Sequence, residues 1–469
     1  MRTRAWPQLE QSTSQSSGLL AAVFLAAALA LGGGGSPNPL PELILEALAG
    51  LTAVLWSFGV LRSPGLSCVP HTARVIAIIL VVVPLLQLIP LPPVLWQALP
   101  GRKIEYDALA LIGEQSDWRA WSLAPARTLS SLVSLGPPLV LLTMTSALDQ
   151  GGRLALIRAV AAMAIATLIM GALQHAAGDD SPLQLYGGGT AALTGFQANN
   201  NATADLLLIA LMTAPLLVRD AVIGRVIADK PGIVVPISAI FMTICACAVV
   251  LASSRMGIAL LPIPIIASFW MLRPWINLTS RGLLLALLGC VVAVPILVAL
   301  AQANPLLAGV MARFQVSTEL RPQLWHDGLY VAQKYFPFGV GMGDFVPAFI
   351  ADERLVSVNT SMPNRAHNEL IELTTETGVF GLLALSASVL LLFREGVRAA
   401  RRANRQSIAV IWFAATSLII LSLHSLVDYP LRSLSLASLA AVCAGLLLNR
   451  SSAAERDPDA SAASQVAPK

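Results

Sequence analysis

The sequence predicts an all-α polytopic membrane protein with about 12 transmembrane helices and one large extramembrane loop. Two observations predict this class. Of the 469 residues, 56% are hydrophobic and only 12% are charged, whereas about a quarter of the residues of an ordinary soluble domain are charged. Apolar runs close to the ~20 residues that a helix needs to cross a bilayer recur along the chain. A soluble enzyme, a disordered protein and a collagen-like fibre are therefore excluded.

Apolar runs separated by charged, Gly/Pro-rich or polar segments are predicted to cross the membrane. Twelve are found, at 18–33, 43–60, 74–91, 129–148, 154–173, 204–219, 233–252, 258–272, 283–302, 377–393, 407–423 and 433–449. The first follows Arg2 and Arg4, as a signal peptide would, but the Gly32–Gly35 run and Pro37 follow it without an A-x-A-like cleavage site. We therefore predict that this first span is not cleaved.

The distribution of basic residues predicts the orientation. If the N-terminus is cytoplasmic, 18 of the 30 Lys and Arg residues fall on the cytoplasmic side and 11 on the other, with Arg158 inside a span. The positive-inside rule then places both termini in the cytoplasm. Because the basic residues are dispersed among short loops, they do not indicate a nucleic-acid partner.

The spans and loops divide the chain into five predicted regions. N-terminal transmembrane helices occupy 1–173 and central ones 174–302, and a large non-cytoplasmic loop follows at 303–376. C-terminal transmembrane helices at 377–449 precede a Ser/Ala-rich tail at 450–469, predicted to be disordered and cytoplasmic. The five cysteines have no zinc-ligand spacing, and none lies in a long polar loop, so neither a disulfide framework nor a metal site is predicted.

The large loop contains a predicted helix that begins near Arg321. Pro322 suits a first helical position, and Trp325, Leu329, Ala332 and Phe336 would then share one face. Arg321 would lie at the positive end of the helix, where a phosphate is favoured. The alternative is a surface amphipathic helix with an ordinary solvated arginine.

A Gly-x-Gly-x-Gly pattern follows at Gly339, Gly341 and Gly343. Such a pattern can bind a nucleotide, but no strand precedes it and no Rossmann unit fits here. We predict a tight turn in which the backbone approaches another segment closely.

The next motif, Ala-His-Asn-Glu, contains His367 and leads into the tenth span. Asn364 is predicted to cap the helix, which would place His367 in the first helical turn, where the helix dipole keeps an imidazole neutral and able to accept a proton. Glu369, Glu372 and Glu376 would share one helix face. The alternative for an isolated histidine is a structural role.

Arg255 lies in a Ser-Arg-Met-Gly segment that separates two spans with almost no loop. An arginine at the membrane surface needs a partner, and a lipid phosphate is a natural one, although an interfacial anchor is the alternative. Two other segments belong to the same predicted face, His424–Arg432 and Asn199–Asn201.

Together these segments resemble the O-antigen ligase/polymerase superfamily of bacterial membrane glycosyltransferases. The resemblance spans about 190–440. It rests on the order of the Ser-Arg pair, an Arg-x-x-x-Trp, Pro-x-Gly-x-Gly-x-Gly-x-Phe, Ala-His-Asn-Glu and the late His-Ser-Leu-Val-Asp-Tyr-Pro-Leu-Arg. No one of these motifs is decisive alone.

The resemblance implies a GT-C-like glycosyltransferase in the bacterial inner membrane that needs no metal or other cofactor. Its donor would be a glycan on undecaprenyl diphosphate and its acceptor a saccharide, such as the lipid A-core for a ligase. Carried over by position, His367 would be the general base and Arg255 and Arg321 would bind the pyrophosphate. Asn368 and Trp325 are the remaining predicted substrate-binding residues.

Two other classes of function fit the sequence less well. A transporter of the same lipid-linked glycan would be expected to have ionisable groups near the midplane and repeated halves. Here only Arg158 and Glu46 lie deep within spans, and no repeat is visible. A passive anchor would not explain the 74-residue loop with its Arg/His constellation. Within the enzyme class, the sequence leaves ligase and polymerase open.

Overall fold

The computed structural model describes residues 6–34, 39–58, 66–186, 192–223, 231–276, 321–354, 356 and 364–449. Within these ranges the chain is helical apart from loops and one pair of two-residue strands, β1 (Pro90–Leu91) and β2 (Arg119–Ala120), which pair antiparallel. The α-helices are α1 (Trp6–Leu31), α2 (Pro39–Ser57), α3 (His71–Gln87), α4 (Pro93–Gln97), α5 (Lys103–Ile112), α6 (Pro125–Ser134), α7 (Gly136–Ala147), α8 (Gln150–Ala177), α9 (Asn200–Leu211), α10 (Thr213–Ile223), α11 (Val234–Leu251), α12 (Arg255–Leu260), α13 (Pro262–Leu272), α14 (Arg321–Tyr335), α15 (Phe345–Asp352), α16 (Glu369–Arg402), α17 (Ser407–His424) and α18 (Leu434–Leu448).

The helices confirm the predicted membrane class. Eight helical stretches of the described chain are long and apolar enough to cross a membrane, and three shorter apolar helices accompany them at Ser16–Leu31, His71–Gln87 and Leu434–Leu448. These eleven correspond to eleven of the predicted spans, and the remaining one, 283–302, lies outside the described residues. The protein is an all-α, multi-pass membrane protein.

Small residues allow the spans to pack closely. A Cβ on Gly18 of α1 would overlap the backbone of Gly152 in α8, and a Cβ on Gly445 of α18 would lie 2.7 Å from the Thr145 Cβ in α7. In a bilayer, helices associate through such close contacts because lipid provides no hydrophobic drive between them.

The large loop has a hydrophobic core of its own, formed by Val331, Tyr335, Val340, Phe345, Phe349, Ala366 and Ile371 with smaller neighbours. The predicted face of α14 was wrong in part. Leu329 and Phe336 are about half exposed, whereas Val331 and Tyr335 are buried. The buried side is determined by Gly328, where a Cβ would lie 2.9 Å from the Ile371 side chain.

The glycine pattern forms the predicted close backbone approach. Gly341 N donates to Glu376 O at 2.9 Å, and Val379 N donates to Pro337 O at 2.9 Å, so the loop pairs with α16. A Cβ on Gly339 would lie 2.5 Å from Glu376 O, and one on Gly378 would overlap Pro337 O. Gly378 has φ 57° and ψ −144° and kinks α16, so both glycines are needed for the two backbones to meet.

Candidate active site

The prediction that His367 lies in the first helical turn was wrong. His367 lies just before the helix α16, which begins at Glu369. The N-cap of α16 is Asn368 and not Asn364, and its side chain accepts hydrogen bonds from Leu370 N at 3.0 Å and Ile371 N at 3.2 Å. His367 precedes this cap with φ 49°. The expected cap was wrong because two asparagines flank the histidine, and the sequence pattern does not distinguish which of them stays extended.

The His367 side chain pairs with a carboxylate from the last interhelical segment. Its Nδ1 lies 3.0 Å from Asp428 Oδ1. If Nδ1 carries the proton in this bond, Nε2 keeps its lone pair and can accept a proton from another molecule. The His367 side chain is 28% exposed and that of Asp428 only 2%, so the histidine is the accessible member of the pair.

Two asparagines at the start of α9 hold the opposite side of the Asp428 carboxylate. The Asn201 amide donates to Asp428 Oδ2, and the Asn199 amide donates to the same oxygen at 3.3 Å. Burial alone would raise the pKa of Asp428, but the hydrogen bond to His367, the charges of His367 and His424 and the Asn201 amide together lower it below its usual value. Asp428 is therefore held as the anion that an imidazolium needs beside it.

Backbone and ring contacts fix the position of His367. The Trp325 indole Nε1 donates to His367 O at 3.0 Å, and the Tyr429 ring packs edge-on against the imidazole with the ring centres 4.9 Å apart. The Asn368 amide, besides capping α16, donates to Leu426 O at 2.8 Å. In the described chain the side chains of Trp325 and Asn368 position the histidine, and their contact with a substrate stays a prediction.

A cluster of buried charges clamps the two segments that carry His367 and Asp428 onto α16. Arg365 pairs with Glu372 at 2.8 Å, and Arg432 pairs with Glu376 at 2.8 Å. Leu431 N donates to Glu369 Oε1 at 2.6 Å. The three glutamates thus share a face, as predicted. Because removal of one partner would leave a buried charge uncompensated, the cluster fixes the spacing between the histidine and the aspartate.

Arg255 lies beside this site, at the start of α12. Ser254 caps α12 by accepting from Gly257 N at 3.0 Å, and half-buried Arg255 is the first residue of the helix. The Asn200 amide donates to Ala252 O at 2.8 Å, which attaches this turn to the asparagine segment that holds Asp428. The structure thus brings the Ser-Arg turn next to the His367–Asp428 pair.

Arg321 is the first residue of α14. It is half-buried and lies close enough to His424 to act on it electrostatically. His424 ends α17, and its Nδ1 lies 2.7 Å from Asp205 Oδ1 in a fully buried pair. Asp428 N donates to His424 O at 2.9 Å, so Arg321 belongs to the same neighbourhood as Asp428.

Backbone strain is concentrated at this site. Among non-glycine residues of the described chain, positive φ occurs at Ser253, with 57°, and His367, with 49°. Each precedes a helix cap, Ser254 or Asn368. Such conformations cost roughly 1–3 kcal/mol and cluster at functional sites, where the surrounding structure enforces them.

Sequence reasoning missed the partner roles. Asp428, Asn199 and Asn201 lie in segments that are predicted to share a face with His367 but to which the sequence assigns no function. The order of segments carried no signal that Asp428 would meet His367, 61 residues away, or that Asn201 would meet Asp428 across 227 residues. Across the ranges that the structure describes, no three His, Cys, Asp or Glu side chains cluster as a metal site would require.

A comparison with protein families matches the O-antigen ligase family model to residues 240–386. This match supports the assignment of that region to the O-antigen ligase/polymerase superfamily. The matched region includes Arg255, Arg321, Trp325, His367 and Asn368, and it ends before Asp428. Among curated proteins, none matches the chain.

The family match indicates a general class of chemistry. Members of this superfamily are membrane glycosyltransferase-like enzymes, and the family implies a lipid-linked glycan and a saccharide acceptor. A histidine–carboxylate pair with two nearby arginines suits such a reaction. A sugar hydroxyl needs a base, and a leaving phosphate needs cationic partners.

Proposed function

We propose that this protein is an O-antigen ligase-like glycosyltransferase. It moves a glycan from undecaprenyl diphosphate to an acceptor sugar of the lipid A-core at the periplasmic face of the bacterial inner membrane. The observation that carries the proposal is the accessible His367 imidazole, oriented by buried Asp428 and flanked by the arginine-bearing segments.

In this proposal His367 is the general base. Nε2 takes the proton of the acceptor hydroxyl as its oxygen attacks the anomeric carbon, and Asp428 stabilises the imidazolium that forms. The bond from the anomeric carbon to the diphosphate oxygen breaks, and the electron pair leaves with undecaprenyl diphosphate. Arg255 and Arg321 bind this anion and stabilise the charge that develops on it. We propose that no metal ion takes part, so transfer should continue in the presence of EDTA.

The test is an in vitro transfer assay on purified His367→Gln, with donor binding measured alongside. Glutamine can form a hydrogen bond but cannot take up a proton. Transfer should therefore fall by about 10²–10⁴-fold, while the arginines still bind the donor. An active His367→Gln protein would refute the mechanism.

A polymerase that joins repeat units on the same donor is the second candidate. It is favoured because the family match supports a ligase/polymerase-type function without separating the two roles, and because the donor machinery would be shared. Deletion of the gene discriminates them. Loss of capped lipopolysaccharide with accumulation of lipid-linked glycan supports ligase, and shortened polymer supports polymerase. A transporter is less well supported, because these polar residues gather at one end of the helices.

The proposed orientation rests on the distribution of basic residues and is tested by labelling. In intact spheroplasts, cysteines introduced at Gln333 and Ser181 should react with an impermeant thiol reagent, whereas a cysteine at Ala403 should not. Labelling at Ala403 alone would reverse the orientation.

A further inference from the structure

The segment between α3 and α6 contains two short helices, α4 and α5, that leave apolar side chains uncovered. Both ends of the segment are fixed at the ends of apolar helices, since α3 ends at Gln87 and α6 begins at Pro125. Gln87 also places the segment on the side of the candidate site. Its side-chain amide donates to Glu376 O at 2.9 Å, and its Oε1 accepts from Met342 N at 2.9 Å.

Helix α5 has three distinct sides. Leu109 is buried against the protein, and Lys103 and Asp107 form an exposed ion pair at 2.8 Å. The third side carries Ile104, Ala108, Leu111 and Ile112, at the i, i+4, i+7, i+8 spacing of one helix face. Ile104 is 55% exposed, Leu111 88% and Ile112 66%.

The uncovered face belongs to an ordered unit. Trp96 of α4 is fully buried and its Nε1 donates to Asp117 O at 3.0 Å, which ties α4 to the chain beyond α5. On the outside of the same unit, Val94 of α4 and Trp118 are largely exposed. A rigid element with several large exposed apolar side chains marks a contact surface.

The apolar surface of α3 leads into this segment. Ile78, Leu85 and Ile89 are each about half exposed on the outside of the helix bundle, where a spanning helix meets lipid. Val94 follows only five residues after Ile89. A surface that continues the lipid-facing side of a span, with polar groups on a neighbouring edge, has the pattern of a helix that lies in the membrane interface.

We propose that α4 and α5 form an interfacial membrane anchor, in which Val94, Ile104, Leu111 and Ile112 insert among lipid acyl chains next to α3. The inserted leaflet is the one on the side of the candidate site. This inference stands apart from the proposed function, because it uses only the exposed faces and their continuity with a span.

The anchor is joined to the core of the large loop. Gly101, between α4 and α5, has φ 81°, and a Cβ there would overlap the Tyr335 ring. At the other end of the segment, Leu123 N donates to Val340 O at 2.7 Å. The anchor therefore holds the loop core at a fixed height above the bilayer.

Two alanines of α5 provide a matched test. Both are exposed, but Ala108 lies on the apolar face and Ala110 lies on the side away from it. Ala108→Cys and Ala110→Cys are introduced into the full-length chain after its native cysteines are replaced. Each is labelled with a nitroxide and reconstituted in phosphatidylethanolamine/phosphatidylglycerol nanodiscs. Collision rates with oxygen, which concentrates in the bilayer, are compared with those of a water-soluble nickel chelate.

The oxygen-to-nickel ratio should be severalfold higher at Ala108 than at Ala110, with a depth of about 5–10 Å for the Ala108 label. Equal ratios, with both labels open to nickel, would overturn the proposal. Low collision rates with both reagents at Ala108 would also overturn it, because a protein would then cover the face. Dipolar broadening in that case would identify a second copy.

Discussion

Replacement of Asp428 by asparagine tests the orientation of the base without a change in side-chain size. Asp428 Oδ2 accepts from two amides, Asn199 and Asn201, and Oδ1 faces His367 Nδ1 at 3.0 Å. In the Asp428→Asn side chain, the amide oxygen must take the position of Oδ2, because only an oxygen can accept the hydrogen bonds from Asn199 and Asn201. Its NH₂ group must then face the imidazole.

An NH₂ group that donates to Nδ1 forces the His367 proton onto Nε2. That tautomer cannot accept the proton of the acceptor hydroxyl, and the imidazolium also loses its counter-ion. The whole contribution of the base should therefore be lost, about 10²–10⁴-fold in turnover. At 1.36 kcal/mol per tenfold change, this is about 3–5 kcal/mol of transition-state stabilisation.

The assay measures transfer by purified Asp428→Asn at saturating lipid-linked donor, with donor affinity determined separately. Asp180→Asn is the matched control. It makes the same chemical change, and Asp180 is an exposed residue away from the histidine. The control should keep full activity, and both variants should bind the donor. Turnover of Asp428→Asn within a few-fold of the parent would show that the pair does not orient a base.

Three other perturbations follow from the structure. Arg255→Lys and Arg321→Lys should each reduce transfer by roughly 10–100-fold while the protein still accumulates, because lysine keeps the charge and loses the bidentate fork; near-normal activity of both would make them interfacial anchors. Gly378→Ala should lower the free energy of unfolding by about 2 kcal/mol or more, since the methyl group would meet Pro337 O and φ is positive. The control is Gly50→Ala, whose methyl group would meet nothing within 4 Å. In a thermal melt, this control should be as stable as the parent protein. Burial raises the pKa of Asp344 to about 7, against hydrogen bonds from Ala124 N and Ser122 that lower it. Its contribution to stability is therefore full below pH ~4 and is lost as the pH rises through about 7. Asp344→Asn should flatten the fall in melting temperature between pH 5 and 8, and an unchanged slope would assign that fall to other groups.

The sequence was sufficient to predict the helical class and most spans, because a span is a local property of some twenty residues. The glycine turn was also predictable, since alternating glycines indicate that a backbone needs close approach. The packed face of α14 was not. The spacing of apolar residues gives no weight to Gly328, because glycine has no side chain. In the structure, however, Gly328 packs against Ile371 so closely that a Cβ there would lie 2.9 Å from the Ile371 side chain.

The site was predictable only in part for a similar reason. The motifs identified His367 and the arginines individually, and each could be placed on one face of the membrane. The carboxylate that orients the histidine depends on how α9, α16 and α17 pack, which no local spacing encodes. The prediction that Asn364 caps the helix was wrong. Asn368 has the same capping side chain and directly precedes Glu369, the first residue of the helix.

The distance along the chain between Asn201 and Asp428 has a consequence for biosynthesis. A ribosome adds residues from the N-terminus, so the asparagines, both arginines and the histidine are all made before the carboxylate that completes the pair. Asp428 follows α17 and, among the described α-helices, precedes only α18. A chain that stops at α16 carries the histidine but no oriented base. In the proposed mechanism, the chain therefore becomes competent for transfer only once the hairpin of α17 and α18 has entered the membrane.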